Sequence, residues 1–275
     1  MEPFGTRLRR ATDDRGQLCV GLDPHASLLE AWGVGDTVDG LERFSMTCVE
    51  ALASRVAVIK PQSAFFERHG SPGIAVLERA VAAARDAGAL VLLDAKRGDI
   101  GSTMQGYAEA YLDQGSAMAV DAITVSPYLG FESLRPMLDT AAMHGAGVFV
   151  LALTSNPEGP TVQLARHGSE TVAGEILDAL RRENAASVPL GSFGAVVASN
   201  LAELSEDLAI NGPLLAPGFG AQGGTAEDVR RIFAGVEANV LPSTSRDVLR
   251  AGPSVDALRA TAEQAAEAVA AAVGR

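Results

Sequence analysis

Six consecutive residues, Asp94-Ala95-Lys96-Arg97-Gly98-Asp99, bring two carboxylates and an ammonium group close together in the chain. They follow the apolar run Ala89–Leu93, which is typical of a fully buried strand. Because side chains alternate along a strand, Asp94 and Lys96 are expected on the same face, about 7 Å apart along the backbone. Gly98 is expected to end the strand, with Asp99 just beyond it. Charges at the tip of a buried strand are costly to desolvate, so this cluster is expected either to pair or to perform chemistry.

Short apolar runs alternate with longer helical segments along the chain, with no linker or composition break. The predicted strands are Leu18–Asp23, Ala57–Pro61, Ala89–Lys96, Ala122–Ser126, Gly147–Thr154, Phe193–Ser199, Pro213–Pro217 and Asn239–Ser243. Eight strands alternating with helices in 275 residues are typical of a (β/α)₈ barrel, so we expect a single catalytic domain over residues 1–275. The alternative is a doubly wound open sheet, but the first strand ends without the glycine-rich fingerprint of that fold.

Helical periodicity predicts helices over Gly40–Arg55 and Pro72–Ala87, and a last helix that begins near Ser254. The segment Pro157–Gly168 is expected to be a long loop and is a candidate lid. The first fifteen residues are charged and have no apolar core, so no signal peptide is expected there.

Polar residues stand at the C-terminal ends of the predicted strands, where (β/α)₈ barrels carry their active sites. The first strand ends at Asp23, the second at Lys60, and the third carries Asp94 and Lys96. These side chains are expected to converge on one pocket with alternating charge, which keeps each group ionised and makes Lys96 the candidate catalytic residue. The alternatives are a solvated cap, an ordinary ion pair or, for Lys60, a packed stem with its ammonium in water.

The ends of the seventh and eighth strands have the composition of a phosphate site. Glycines at positions 218, 220, 223 and 224 would let backbone N–H groups approach an anion closely. A helix is expected to begin near Thr225, where its unpaired donors and dipole favour negative charge. Arg246 follows the eighth strand and would add a bidentate clamp.

Composition excludes several classes of partner. The formal net charge is −12 and there is no run of Lys or Arg, so neither nucleic acid nor an anionic membrane surface is expected to bind. No apolar stretch reaches the roughly 18 residues that a membrane span needs. Cys19 and Cys48 lack CxxC spacing, which favours buried reduced thiols, and the four histidines lack the spacing of a metal site. We therefore expect a cytoplasmic protein without a metal.

The charged segment, followed by Ile100 and Thr103, resembles the Asp-x-Lys-x-x-Asp signature of the orotidine 5′-phosphate decarboxylase family. The resemblance covers nearly the whole chain and extends to Gly21–Pro24, to Ile59–Gln62 and Phe65–Glu67 of the longer bacterial and mycobacterial-type branch, and to Pro217–Gly224 and Ser243–Arg246 at the phosphate-binding end. The signature alone is shared with related sugar-phosphate decarboxylases. Its combination with Lys60, Gln222 and Arg246 is more specific.

The resemblance implies a cofactor-free decarboxylation of orotidine 5′-phosphate to UMP in pyrimidine biosynthesis. It implies that Lys96 protonates C6 of the pyrimidine, that Asp94 lies beside the departing carboxylate, and that Lys60 completes the charge network. The implied substrate-binding residues are Asp23 for the ribose hydroxyls, Ser155 for the pyrimidine edge, and Gln222, Gly223, Gly224 and Arg246 for the phosphate. The resemblance also implies a homodimer in which Asp99 and Thr103 reach into the neighbouring subunit's site.

The sixth strand end departs from the family pattern, because it reads Val197-Ala198-Ser199-Asn200 where a Gly-Ala-Thr-like segment is expected. Two other functions fit parts of the sequence. A related decarboxylase of keto-sugar phosphates would hold Mg²⁺ with carboxylates at the first two strand ends, and Lys60 at the second argues against it. A non-catalytic barrel that binds a phosphate ligand would not need Lys96.

Overall fold

A closed barrel of parallel strands dominates the structure, a computed structural model that describes residues 1–220 and 223–274. The strands are β1 Cys19–Leu22, β2 Val58–Pro61, β3 Leu90–Arg97, β4 Ala122–Val125, β5 Gly147–Leu153, β6 Arg166–His167, β7 Glu170–Thr171, β8 Phe193–Val197, β9 Leu214–Pro217 and β10 Val240–Thr244. In this part of the chain, β6 and β7 pair as a small hairpin and the others close the barrel in the order β1-β2-β3-β4-β5-β8-β9-β10. The predicted barrel is confirmed, and the open sheet is wrong.

Helices pack against the barrel, one before the first strand and the others after strands. They are α1 Phe4–Arg15, α2 Ala26–Ala31, α3 Val38–Leu52, α4 Ala64–Glu67, α5 Gly70–Asp86, α6 Gly101–Leu112, α7 Arg135–His144, α8 Gly159–Gln163, α9 Val172–Asn184, α10 Ala226–Ile232, α11 Arg246–Leu249 and α12 Val255–Val273. The side chains of Thr37, Thr225 and Ser254 cap α3, α10 and α12 by accepting a backbone N–H from the first turn. None of the helices in the described residues is long and apolar enough to cross a membrane.

The charged N-terminal segment forms a helix that sequence reasoning missed. Phe4, Leu8 and Ala11 recur at helical spacing and are buried. The ring of Phe4 packs edge-on against Phe149 of β5, with the ring centroids 6.0 Å apart. Helix α1 therefore covers the N-terminal end of the barrel, opposite the strand ends that carry the charged residues.

The segment Pro157–Gly168 is not the open loop that the sequence suggested. It contains α8 and the strand β6, whose hairpin with β7 pairs Arg166 with Thr171. Gln163, the last residue of α8, donates from Nε2 to Oγ1 of Thr154 at 2.6 Å. The expectation of a long loop is therefore wrong, and the segment is held to the end of β5.

Side chains of β2 and β3 alternate between the barrel interior and the surrounding helices. Val58 and Leu92 belong to the apolar cluster inside the barrel. Ile59 and Leu93 belong to the larger cluster between barrel and helices. This alternation decides which of the following residues point into the barrel.

Candidate active site

Two opposite charges extend the interior rows of β2 and β3. Lys60 stands two residues after Val58, and Asp94 stands two residues after Leu92, so both continue an inward-facing row. The strands are neighbours, with Val58 paired to Leu90. Both side chains are therefore brought to the same end of the barrel interior, where Lys60 is only 6% exposed.

Asp94 lies between two ammonium groups. Its Oδ2 accepts a hydrogen bond from Nζ of Lys60 at 3.1 Å, and its Oδ1 accepts one from Nζ of Lys96 at 2.6 Å. The side chain of Lys60 is only 8% exposed and its ammonium is paired with Asp94, which favours the ion network over a lysine whose ammonium lies in water. The side chain of Lys96 remains 44% exposed. An ammonium that is held by an ion pair and still open at the barrel mouth is arranged to stabilise negative charge or to donate a proton.

The network keeps Asp94 and Lys60 charged. Burial alone raises the pKa of Asp94, but the charges of Lys60 and Lys96, with hydrogen bonds from Lys96 and Thr124, outweigh it and hold the pKa well below its ordinary value. For Lys60, burial alone lowers the pKa, but the charges of Asp94 and Asp23 outweigh it and raise the pKa above its ordinary value. Asp94 and Lys60 are therefore both ionised at neutral pH.

Lys96 lies in an irregular part of β3. The pairing with β4 passes from Leu93 opposite Ile123 to Arg97 opposite Val125, so four residues of β3 advance against two of β4. Inside this bulge Lys96 has φ of +49°, in the left-handed region that residues with side chains rarely adopt. Such backbone strain costs about 1–3 kcal/mol and is concentrated at functional sites.

Strand β3 ends one residue later than the predicted range Ala89–Lys96, and Gly98 ends it as expected. The strand stops at Arg97, directly before Gly98. A Cβ atom on Gly98 would lie 2.5 Å from the carbonyl oxygen of Ser126, so only glycine allows this close approach. Arg97 turns outward, where its guanidinium bonds the carboxylate of Glu67 and lies 5.7 Å from the ring centroid of Tyr107. The strand tip is thus anchored from outside the barrel.

A cavity of about 290 Å³ opens beside Lys60 and Asp94. The predicted residues Asp23 and Arg246 also line it, so four of the expected site residues meet there. The Oδ1 atom of Asp23 is buried and has no hydrogen-bond partner among residues 1–220 and 223–274. An unsatisfied buried carboxylate oxygen at a pocket wall is a ready acceptor for a ligand hydroxyl.

Two lining residues were missed by sequence reasoning. His25 and Gln62 also face this cavity, and each stands two residues after a predicted site residue, Asp23 or Lys60. The ring of His25 packs against Phe65 with the centroids 4.2 Å apart. The i+2 spacing after a charged strand end was the signal that could have found them.

The glycine-rich turn after β9 has an internal hydrogen-bond pattern. The N–H of Gly223 donates to the carbonyl of Gly220 at 2.7 Å, and the N–H of Gly224 donates to the carbonyl of Gly218 at 2.9 Å. These two amides are therefore engaged within the turn in this conformation. The expected ligand Gln222 lies outside the described residues.

The departure at the sixth barrel strand has a structural role. Both the backbone N–H and the hydroxyl of Ser199 donate to the carbonyl of Pro217, at 2.8 and 2.9 Å. Pro217 is the last residue of β9, directly before the glycine-rich turn. Ser199 therefore fixes the start of the turn beside Arg246.

Six of the expected site residues that the structure describes are not among those that line this cavity: Lys96, Asp99, Thr103, Ser155, Gly223 and Gly224. The Lys96 ammonium lies beside the cavity through its bond to Asp94, and the two glycines belong to the turn after β9. Ser155 is exposed two residues after the end of β5. Thr103 is exposed in the first turn of α6, and Asp99 is half-buried before that helix, where its Oδ1 accepts the N–H of Ile100 at 2.8 Å. The single chain thus brings together one part of the predicted site and leaves another part at its surface.

A larger cavity of about 610 Å³ lies at the opposite end of the barrel, beside α1. The arginines that line it form ion pairs and hydrogen bonds within the protein. Arg7 contacts Asp121 at 2.5 Å, Arg10 bonds both carboxylate oxygens of Glu2, and Arg15 donates to a backbone carbonyl. These contacts attach the terminal helix to the barrel. The cavity is remote from the Lys–Asp–Lys network, so its larger size does not identify it as the active site. Residues 1–220 and 223–274 contain no cluster of three or more metal-ligating side chains.

The fold and the site together define a (β/α)₈-barrel enzyme with a Lys–Asp–Lys ion network at the C-terminal ends of its strands. The chain belongs to the orotidine 5′-phosphate decarboxylase / HUMPS family, whose model matches residues 16–261.

Relatives extend this similarity over nearly the full chain. A Nocardioides sp. protein named orotidine 5′-phosphate decarboxylase is 67% identical over 254 residues, which cover 91% of this chain and 93% of the relative. A Streptomyces coelicolor protein of the same name is 62% identical over 266 residues, 96% of each chain. A crystal structure from Streptomyces avermitilis, described as a candidate orotidine 5′-phosphate decarboxylase, has a TM-score of 0.97 and 61% identity, and the match covers 100% of this chain and 97% of that one.

Proposed function

We propose that this chain catalyses the decarboxylation of orotidine 5′-phosphate to UMP, with Lys96 as the acid that protonates C6 of the pyrimidine. The observation that carries the proposal is the position of the Lys96 ammonium, 2.6 Å from a buried carboxylate and open at the barrel mouth. Family membership and two relatives of the same name at 62–67% identity support the choice of substrate.

The geometry suits a reaction that develops negative charge on carbon. When the bond to CO₂ breaks, its electron pair stays on C6, and no neighbouring group of the ring can absorb it. The fixed ammonium of Lys96 stabilises this charge and then transfers one N–H proton to C6, which leaves the lysine neutral. Asp94 holds Lys96 in place beside the departing carboxylate, and Lys60 balances the second oxygen of Asp94.

The rest of the substrate is proposed to occupy the cavity beside the network. Asp23, with its unpaired buried oxygen, accepts the ribose hydroxyls. Arg246 binds the phosphate together with Gln222 and the backbone of Gly223 and Gly224, whose amides must first leave their bonds within the turn. Ser155 contacts the pyrimidine edge after closure of the neighbouring segment. Binding energy from the remote phosphate can be used to organise the reacting end of the site.

We also propose a homodimer in which Asp99 and Thr103 complete the partner's site. Both are at the surface of the single chain, where they have no role in its own cavity. Large apolar side chains are exposed beside them: Ile100 is 62% exposed, and Tyr128 and Leu129, which follow the adjacent strand β4, are 80% and 53% exposed. An apolar patch next to an incomplete charged site fits a surface that a second copy covers.

Residues 1–275 are proposed to act as one catalytic domain, since the barrel strands run from Cys19 to Thr244 and α12 follows them. Both cysteines are buried free thiols, which fits the proposed location in the reducing cytoplasm.

The decisive experiment is to follow the ultraviolet absorbance of orotidine 5′-phosphate after adding purified protein in buffer that contains EDTA. Steady conversion to UMP is expected, and no conversion would refute the proposal. A parallel reaction with a keto-sugar phosphate and Mg²⁺ tests the related decarboxylase, in which Lys60 would occupy the place of a metal-binding carboxylate. Binding of orotidine 5′-phosphate without turnover would instead favour the non-catalytic phosphate-binding barrel.

A further inference from the structure

The hydroxyl of Thr124 in β4 makes three hydrogen bonds to the charged segment of β3. Its Oγ1 accepts the backbone N–H of Ala95 at 3.1 Å and that of Lys96 at 3.0 Å. It donates its own proton to Oδ1 of Asp94 at 2.8 Å. A threonine hydroxyl has one donor and two acceptor positions. All three are occupied here, by the consecutive residues Asp94, Ala95 and Lys96.

These contacts fall where the strand ladder is interrupted. Between the pairs Leu93–Ile123 and Arg97–Val125, β3 has two more residues than β4. Regular pairing cannot serve every backbone N–H of such a bulge. Thr124 lies opposite the bulge and supplies an acceptor for two of its amides, one of them the amide of Lys96 in its left-handed conformation.

The bonds also converge on the catalytic ion pair. The Asp94 oxygen that accepts the Thr124 proton is the same oxygen that accepts the Lys96 ammonium. Ser126, two residues further along, donates its hydroxyl to the carbonyl of Lys96 at 3.1 Å. Both peptide groups that flank Lys96 are therefore held by side chains of β4 and the residues after it.

We propose that Thr124 is a positioning residue, whose hydroxyl holds the left-handed backbone of Lys96 and orients Asp94, and so sets the place of the Lys96 ammonium. Thr124 is buried and acts through these two residues, not on the substrate. The expected effect of Thr124 on catalysis rests on the proposed function, whereas its support of the Lys96 backbone does not.

The kinetic test compares Thr124→Val, which keeps the shape but removes the hydroxyl, with Thr124→Ser, which keeps the hydroxyl. Thr124→Val is expected to lower kcat by about tenfold to a hundredfold, the range expected when oriented buried hydrogen bonds are lost. KM and the affinity for UMP are expected to change by no more than about twofold, because the phosphate end is untouched. Thr124→Ser is expected to restore most of kcat. The matched control is Thr140→Val, at a buried threonine of the outer helix α7.

Wild-type kcat in Thr124→Val, equal impairment in Thr124→Ser, or the same loss in Thr140→Val would each overturn the proposal. A KM increase that accounts for the whole loss would also overturn it.

Amide hydrogen exchange provides a second measurement, which does not depend on activity and which begins with the wild-type protein. In amide hydrogen exchange of the wild-type protein, the N–H groups of Ala95 and Lys96 are expected to be protected despite the bulge. In Thr124→Val this protection is expected to fall at least about tenfold while that of Val91 in the same strand is retained. Rapid exchange of both amides in the wild type would refute the positioning role. If the wild type fails to decarboxylate orotidine 5′-phosphate but these amides respond as stated, the proposed function fails and the inference stands.

Discussion

The ammonium of Lys96 lies 2.6 Å from a carboxylate oxygen of Asp94, only two residues earlier in the chain. The contact is made within a bulge of β3 in which Lys96 adopts φ of +49°. The other oxygen of Asp94 accepts a hydrogen bond from Lys60. One carboxylate thus fixes two ammonium groups, of which only Lys96 remains substantially open to a ligand.

Replacement of Lys96 tests the proton donor. Lys96→Ala is expected to reduce kcat by about a hundredfold to ten-thousandfold, the usual contribution of a positioned acid or base, because the acid is removed. UMP should still bind, since Asp23 and Arg246 are unchanged. Steady-state kinetics and calorimetric titration with UMP measure the two effects. Turnover close to that of the wild type would remove Lys96 from the role of acid.

Replacement of Asp94 tests the buried ion network as a stability element. Asp94→Asn leaves the buried ammonium of Lys60 without its closest counter-charge, and loss of one partner of a buried pair typically costs about 3–5 kcal/mol. Urea unfolding at neutral pH measures this loss. The control is Glu42→Gln, which breaks an exposed pair with Arg79 and is expected to have a far smaller effect.

The stability difference between wild type and Asp94→Asn is expected to depend on pH with a defined sign. The pKa of Asp94 is depressed in the folded state, so the unfolded chain takes up the proton first as the pH falls. The stability difference between wild type and Asp94→Asn should be constant from about pH 5 to 9 and should shrink below the ordinary carboxyl pKa of about 3.9. A difference that persists undiminished at pH 2.5 to 3 would contradict the proposed depressed pKa.

Mixing two inactive variants tests the shared site. Asp99→Ala and Lys96→Ala subunits, once exchanged, are expected to form heterodimers in which one of the two sites has both wild-type residues. Activity should then rise above that of either variant alone, toward about a quarter of wild type for random dimers with one restored site each. The assay needs proof of exchange, for example by mass spectrometry of differently labelled subunits. Exchange without recovery would mean that each chain contains its whole site.

A deletion at the start of α8 tests whether the segment Pro157–Gly168 is a lid over the site. Deleting Asn156–Thr161 is expected to raise KM for orotidine 5′-phosphate and leave the barrel folded, because most of these side chains are exposed. Thermal unfolding and circular dichroism report on the fold. Gln163 of the same helix makes two hydrogen bonds to Thr154. A Gln163→Ala variant therefore shows whether loss of this attachment to the end of β5 is enough to raise KM. Unchanged kinetics after the deletion would argue against a lid.

Some features of the site could be found only in three dimensions. Thr124 stands within an apolar strand, and nothing in its sequence neighbourhood shows that its hydroxyl serves residues some thirty positions earlier. Helix α1 was missed because its charged residues conceal three apolar positions at helical spacing. The engagement of the Gly223 and Gly224 amides depends on how the turn closes on Gly218 and Gly220.

The sequence by itself determined the barrel and its charged strand ends. Apolar runs of strand length, alternating with helical periodicity, specify strands and helices locally, and the parallel order then places Asp23, Lys60, Asp94 and Lys96 at one end. Only the tertiary structure decided how those groups meet. The register shift between β3 and β4 arises from pairing between distant segments, and it is there that Lys96 has its left-handed backbone, contacts Asp94 and is supported by Thr124.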